Sequence, residues 1–200
     1  MKLAKLPGRP RSFDADQALQ RALTVFWRKG YEGASLTDLT RAMRINRPSL
    51  YAAFGNKEEL FRKVLARYLT GLEGAFREAL TQPTARGVVA HLLENMFEAA
   101  GEAKNPRGCL IVKSAATCGD ASSALRDEML ARRAAGFTAL RARFQRARTE
   151  GDLPADASPA DLARYVSTIS YGLALESAHG ATTAELRKTI DLILKLWPSR

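Results

Sequence analysis

An all-α fold is expected for this 200-residue chain, on three observations. Apolar residues recur at three- and four-residue spacing along most of its length. No segment shows the alternating pattern of a half-buried strand. Capping residues stand at the head of several periodic stretches.

In chain order, Asp14 can cap a first helix whose apolar positions are Ala18, Leu19, Ala22, Leu23, Phe26 and Trp27, closed by Gly30. Ser35 can cap a second, with Asp38 in the place of a capping-box acid, and Leu36, Leu39, Ala42 and Met43 form its stripe. After only Arg44-Ile45-Asn46, a third short helix carries Leu50, Ala53 and Phe54. Asn56 precedes Lys57-Glu58-Glu59, whose acids suit a helix amino terminus, and that helix is expected to reach about Leu80 on an inner stripe of Leu60, Val64, Tyr68, Leu72 and Phe76. Pro83 marks a break. Further helices are expected over Thr84 to Ala103, Pro106 to Cys118, Ser122 to Glu150, Pro159 to His179 and Ala184 to Trp197. The linkers Gly151-Asp152-Leu153-Pro154 and Gly180-Ala181-Thr182 are short, so the helices they join should pack antiparallel.

Composition excludes several classes. With 46% hydrophobic and 26% charged residues the chain suits a globular fold, and no apolar run approaches the ~20 residues that cross a bilayer. The opening MKLAKLPGRPRSFD has charge but no apolar core behind it, so neither a secretory signal nor a membrane anchor is expected. Two cysteines, Cys109 and Cys118, without a CxxC or Cys/His cluster support neither a disulfide framework nor a metal site, and a reducing cytoplasm fits. Two histidines, no GxSxG and no phosphate-binding glycine loop argue against catalysis, and no cofactor is expected.

The net charge of +10 suits a polyanionic partner, and its distribution is uneven. Ten basic residues stand against four acidic ones through Asn56, so just over a quarter of the chain holds more than half of the excess. Two short helices with a tight connection, in that setting, read as a helix-turn-helix: Arg47, Ser49, Tyr51 and Ala52 can stand proud of the core and enter a major groove of double-stranded DNA. The arm Pro7-Gly8-Arg9-Pro10-Arg11 can lie in a minor groove through Arg9 and Arg11, or be a plain basic tail. The hydroxyls of Ser35 and Thr37, with the amides beside them, can face a phosphate, and serve equally as a simple cap.

The order of these residues resembles the TetR family of transcriptional regulators. Gly30-Tyr31-Glu32-Gly33-Ala34-Ser35-Leu36-Thr37 matches the entry of that family's DNA-binding segment, and Leu50-Tyr51-Ala52-Ala53-Phe54-Gly55-Asn56-Lys57-Glu58-Glu59-Leu60 matches its end. The likeness is specific over about Phe13 to Leu65, with a weaker echo in Tyr171 to Leu175 and Glu185 to Arg187. It implies phosphate contacts at Thr37, Tyr51 and Lys57 and a recognition helix bearing Arg47, Pro48, Ser49 and Tyr51. Pro48 departs from the small residue many members carry there. It suits a first helical turn while removing an amide donor. Arg47 can pair bidentately with guanine or contact phosphate.

The last two helices carry Leu162, Val166, Ile169 and Leu173, then Leu186, Ile190, Ile193, Leu194 and Trp197, at helical spacing. These stripes fit either a subunit core or a partner. The resemblance favours the second, a twofold homodimer with a four-helix interface, which would set two reading heads about 34 to 36 Å apart to match successive major grooves. Ser167, Ser170, Gly172, Ala174 and Ser177 would allow close helix approach. Lining residues for a small hydrophobic or amphipathic effector are expected among His91, Phe97, Cys109, Phe137, Tyr165, Tyr171, Glu176 and His179. Cys109, in an expected first helical turn with Lys113 four residues on, is either a thiol sensor of oxidants or electrophiles or a small buried hydrophobe. A bridge to Cys118 is disfavoured if one helix holds both, since nine residues at about 100° each put them on opposite faces.

The sequence thus implies a basic arm at 1–12, a helix-turn-helix DNA-binding domain at 13–56, and a helical effector-binding and dimerisation domain at 57–200. The expected function is a transcriptional regulator, a repressor released from a palindromic operator by a small molecule. A ligand-independent architectural DNA binder and a Cys109-based sensor are the alternatives.

Overall fold

The structure, a computed structural model, describes residues 13–101, 106–117 and 122–198, without the side chains of 96–101 and 116–117. The arm with Arg9 and Arg11, the Phe97 side chain and Cys118 lie outside the described residues. These residues form α1 (Ala15–Gly33), α2 (Leu36–Met43), α3 (Arg47–Phe54), α4 (Lys57–Thr81), α5 (Ala85–Gly101), α6 (Leu110–Thr117), α7 (Ser123–Thr149), α8 (Pro159–His179) and α9 (Thr183–Lys195). None is long and apolar enough to cross a membrane among the described residues.

Local chemistry sets the boundaries of the first four helices. Asp14 accepts from the amides of Asp16 and Gln17 to start α1, and the regular turns stop at Gly30, whose φ of 71° and ψ of 178° leave the helical region. Ser35 with Asp38 and Asn56 with Glu59 form reciprocal capping boxes on α2 and α4, and Asn46 caps α3 through the Ser49 amide. Gly55 joins α3 to α4 at φ 80°, where a Cβ would fall 1.9 Å from the Glu59 carboxylate, so glycine is required there.

Two apolar cores result. The first gathers Ala18, Ala22, Leu23, Phe26, Trp27 and Tyr31 of α1, Leu39 and Met43 of α2, Leu50 and Phe54 of α3 and Leu60, Phe61, Val64, Leu65 and Leu69 of α4, closed by Leu110, Leu125 and Met129. Phe61 sits edge-on to both Phe26 and Tyr31, with centroids 5.0 and 5.1 Å apart. The head's core therefore continues past residue 56, the division expected from the sequence, as far as Leu69. The expected α4 stripe changes likewise. Residues four apart advance about 40° around a helix, so Leu72 and Phe76 drift to half-buried positions while Phe61, Leu65 and Leu69 enter the core.

The second core unites Ala85, Val88, Val89 and Leu93 of α5 with Leu140 and Phe144 of α7, Val166 and Leu173 of α8, and Leu186, Ile190, Ile193 and Trp197 from α9 onward. Its joints are long-range. Arg143, buried in α7, donates to the carbonyls of Leu80, Gln82 and Pro83 at 3.2, 2.7 and 3.1 Å and so closes the end of α4. An Asp152 carboxylate oxygen accepts from the Ala85 amide and opens α5. Together they fix the α4–α5 corner.

The burial corrects one expectation. Val166, Leu173, Leu186, Ile190, Ile193 and Trp197 are 2 to 5% exposed inside a single subunit, so they have no area left to bury against a partner. Leu162, Ile169 and Leu194 pack at the edge of the same core. The apolar side chains that α8, α9 and the following residue turn outward are Tyr165, Leu175, Leu192 and Leu196.

Candidate nucleic-acid interface

The turn between α2 and α3 is tight because Arg44 takes a left-handed conformation, φ 58° and ψ 42°, and its amide bonds back to Thr40 and Arg41. Ile45 packs against the first core, and Asn46 immediately caps α3. Leu50 and Phe54 then pin α3 to the core and leave Arg47, Pro48, Tyr51 and Ala52 exposed, with Ser49 half-buried.

Each expected DNA-binding residue from Ser35 onward has a definite place. The Ser35 hydroxyl accepts from the Asp38 amide at 3.0 Å and donates to the Asp38 carboxylate at 2.7 Å, so it is committed to the cap. The exposed Thr37 hydroxyl accepts from an Arg47 guanidinium nitrogen at 3.2 Å, joining the starts of α2 and α3. Tyr51 is 48% exposed. Lys57 stands at the start of α4 with its ammonium 3.5 Å from the Glu32 carbonyl and 4.5 Å from the Tyr31 ring centroid. Thr37 and Arg47 thus meet where α2 and α3 begin, with Pro48, Ser49 and Tyr51 on the same short helix and Lys57 at the start of the next. Asp38, at the third position of α2, is an acid beside this surface. Lys29, 2.8 Å away, and two bonds from Ser35 hold its pKa down to about 2.

Two supporting contacts carried no sequence signal. Lys63 of α4 donates to the Phe54 carbonyl at 3.0 Å, tying the end of the recognition helix to the longer helix behind it. Trp27 of α1 donates to the Gly108 carbonyl at 2.9 Å, and Gly108, at φ 85°, lies so close to α8 that a Cβ would meet Ala174 and Ala178 within 3 Å. The head is therefore fastened to the body through this turn.

The expected effector residues are dispersed. Cys109 lies just before α6 rather than inside its first turn. The Tyr68 hydroxyl donates to its Sγ at 3.6 Å and accepts from the Leu110 amide, and burial raises the Tyr68 pKa so that this proton is retained. Lys113 donates to the Arg28 carbonyl. His91 is half-buried, 3.9 Å from Glu78. Phe137 lies under Arg164 and Tyr171 under Arg133, at 4.2 and 3.9 Å, along the α7–α8 seam. A groove of about 600 Å³ opens elsewhere, lined by Pro154, Ala157, Leu162, Tyr165, Leu196 and Pro198 among others. Of the expected lining residues whose side chains are described, only Tyr165 reaches it.

Comparison with known proteins agrees with this architecture. Residues 18–64 match the model of the bacterial regulatory proteins of the tetR family, and residues 88–192 that of the tetracyclin repressor-like C-terminal domain. The chain is 30% identical over 97% of its length, and 93% of the relative's, to the HTH-type transcriptional repressor ComR of Escherichia coli (strain K12). It is 41% identical over 54% of each chain to the repressor BdcR of the same organism. It shares 43% identity and a TM-score of 0.87, over 95% of its own length and 100% of the other chain, with a cysteine mutant of the TetR family transcriptional regulator CifR complexed with 26bp double-strand operator DNA. With a helix-turn-helix exposed on a basic head and a matching body behind it, the chain belongs to the TetR family and is a DNA-binding transcriptional regulator, not an enzyme.

Proposed function

We propose that this regulator is a cytoplasmic homodimeric repressor, held on an inverted-repeat operator and released when a small hydrophobic or amphipathic effector occupies its body. The observation that carries this reading is the path of α4. One unbroken helix begins at Lys57, just after α3, shares the head's core to Leu69 and ends in the corner fixed by Arg143 and Asp152. A body that changes shape on binding a ligand would tilt this helix and move the head with it. The effector must prefer the non-operator arrangement, since equal affinity for both shifts nothing.

The outward face of α8 and α9 supports pairing of two subunits. Gly172 has nothing within 4 Å of where its Cβ would stand, and Tyr165 and Leu175 lie on the same side of α8. An open surface with glycine at its middle suits a second helix at close range. The effector residues proposed are Phe137 and Tyr171, each packed under an arginine of the other's helix. Light scattering on the free chain and on its DNA complex tests the assembly. Two chains per molecule are expected, and Leu175→Arg with Leu192→Arg should yield monomers that lose the operator. Monomeric wild type that still protects both half-sites contradicts it.

A second input is supported by the setting of Cys109, whose thiol touches Tyr68 at the joint between head and body. Bulk added to Sγ would press on Tyr68 and Trp27, whose rings meet at 4.8 Å. Alkylation should release operator DNA from wild type and not from Cys109→Ser. Unchanged binding by the alkylated wild type removes this reading.

A further inference from the structure

The recognition helix carries its own statement about which bases it reads. At about 100° per residue, the buried Leu50 and Phe54 define the core side of α3, and the direction opposite them falls on Ala52, with Pro48 about 40° away. Both are exposed, and neither side chain has a nitrogen or oxygen. Ser49 lies about 60° from that direction and is half-buried. Tyr51 lies about 100° from it, at the margin. Arg47 projects about 140° from it, toward α2, which is why its guanidinium meets the Thr37 hydroxyl at 3.2 Å.

The backbone adds few donors on this face. Pro48 has no amide hydrogen, and the Ser49 amide is held by the Asn46 carboxamide at 2.8 Å. At the start of α2 the Leu36 and Thr37 amides belong to the unbonded first turn of a helix, so phosphate-binding capacity gathers there, beside Arg47.

We propose that α3 reads its operator mainly by apolar contact of Pro48 and Ala52 with thymine 5-methyl groups in the major groove, while Arg47 and Thr37 together grip a backbone phosphate. The methyl group is the one apolar feature on a major-groove base edge, and it is the partner a donor-poor surface can recognise. Guanine, which an arginine reads through O6 and N7, falls outside the centre of the face. This inference rests on operator binding as proposed above.

The test begins with selection of bound sequences from random DNA by the full-length protein. The preferred site is then remade with deoxyuridine at each thymine, which removes only the methyl, and separately with 7-deazaguanine, which removes the N7 acceptor. Affinity is expected to fall about fourfold for each contacted methyl. Pro48→Ala should shrink that loss to less than twofold at one base pair per half-site, and Ala52→Ser should do so at its neighbour. For Arg47→Gln, specific and random DNA should weaken by similar factors with a smaller salt dependence. Half-sites without thymine at the contacted positions overturn the inference. So do uracil substitutions that change affinity less than 1.5-fold everywhere while 7-deazaguanine costs tenfold. Selection that enriches no sequence at all instead removes the operator reading on which it stands.

Discussion

The head and the body of this chain are held in different ways. In the head, α2 and α3 are each eight residues long, too short to persist alone, and every helix start has a side-chain cap within three residues. The body has local caps too, at Ser158 of α8 and the Thr182/Glu185 box of α9, but its α4–α5 corner depends on distant partners. Asp152 opens α5 from 67 residues away, Arg143 closes α4 from about sixty, and α7 has no side-chain cap bond at all. The head is thus specified locally, as suits a rigid surface that must match DNA. The body's corner is instead set by contacts between segments far apart in the chain.

That contrast can be broken most sharply at Phe61. Truncating it to alanine removes a side chain of 0% exposure from between Phe26 and Tyr31 and should cost about 3 to 5 kcal/mol, taking DNA binding with it. Urea denaturation followed alongside operator binding checks both. A loss below about 1 kcal/mol would mean that the head does not depend on this cluster.

Arg143→Met should cost about 2 to 3 kcal/mol, because three carbonyls at the α4–α5 corner lose their donor. Operator affinity of the folded protein should stay within about twofold, while the effector's influence on it weakens. Affinity loss as large as that of Phe61→Ala would show that corner and head are a single unit.

Asn56→Ala removes one half of a capping box and should cost about 1 kcal/mol, read as a shift in the urea midpoint. At Asp38 the test is acid. Its pKa is depressed from 3.8 to about 2 in the folded head, so its contribution is complete above about pH 4 and disappears as pH falls through about 2. Asp38→Asn should therefore narrow the stability difference between pH 5 and pH 2. An unaltered pH profile would place the acid sensitivity elsewhere. Lys57→Ala should weaken specific and random DNA alike and flatten the salt slope by about one.

The sequence was legible where interactions are local. Asp14, the Ser35/Asp38 and Asn56/Glu59 pairs, Gly30 and the Arg44-Ile45-Asn46 turn announce the head because each acts within a few residues of itself. Lys63 on the Phe54 carbonyl, Trp27 on the Gly108 carbonyl and Arg143 at the corner span 9, 81 and about sixty residues, and no pattern announces them. The α8 and α9 stripes show the limit of periodicity. It identifies a buried face without saying what covers it, and here the subunit's own α5 and α7 share that core. The effector residues were the least legible, since aromatic and histidine side chains at helical spacing serve packing as readily as binding. Arg47 illustrates a subtler gap, because its partner Thr37 lies ten residues back on another helix.

Selection from random-sequence DNA with the full-length protein, followed by footprinting of the winner, tests the central claim most directly. Two locally built heads joined through paired bodies predict an inverted repeat whose half-site centres lie one helical turn, or a multiple of it, apart, with protection on one face of the duplex. Enrichment of an unrepeated site, or protection that spreads without sequence preference, would contradict it.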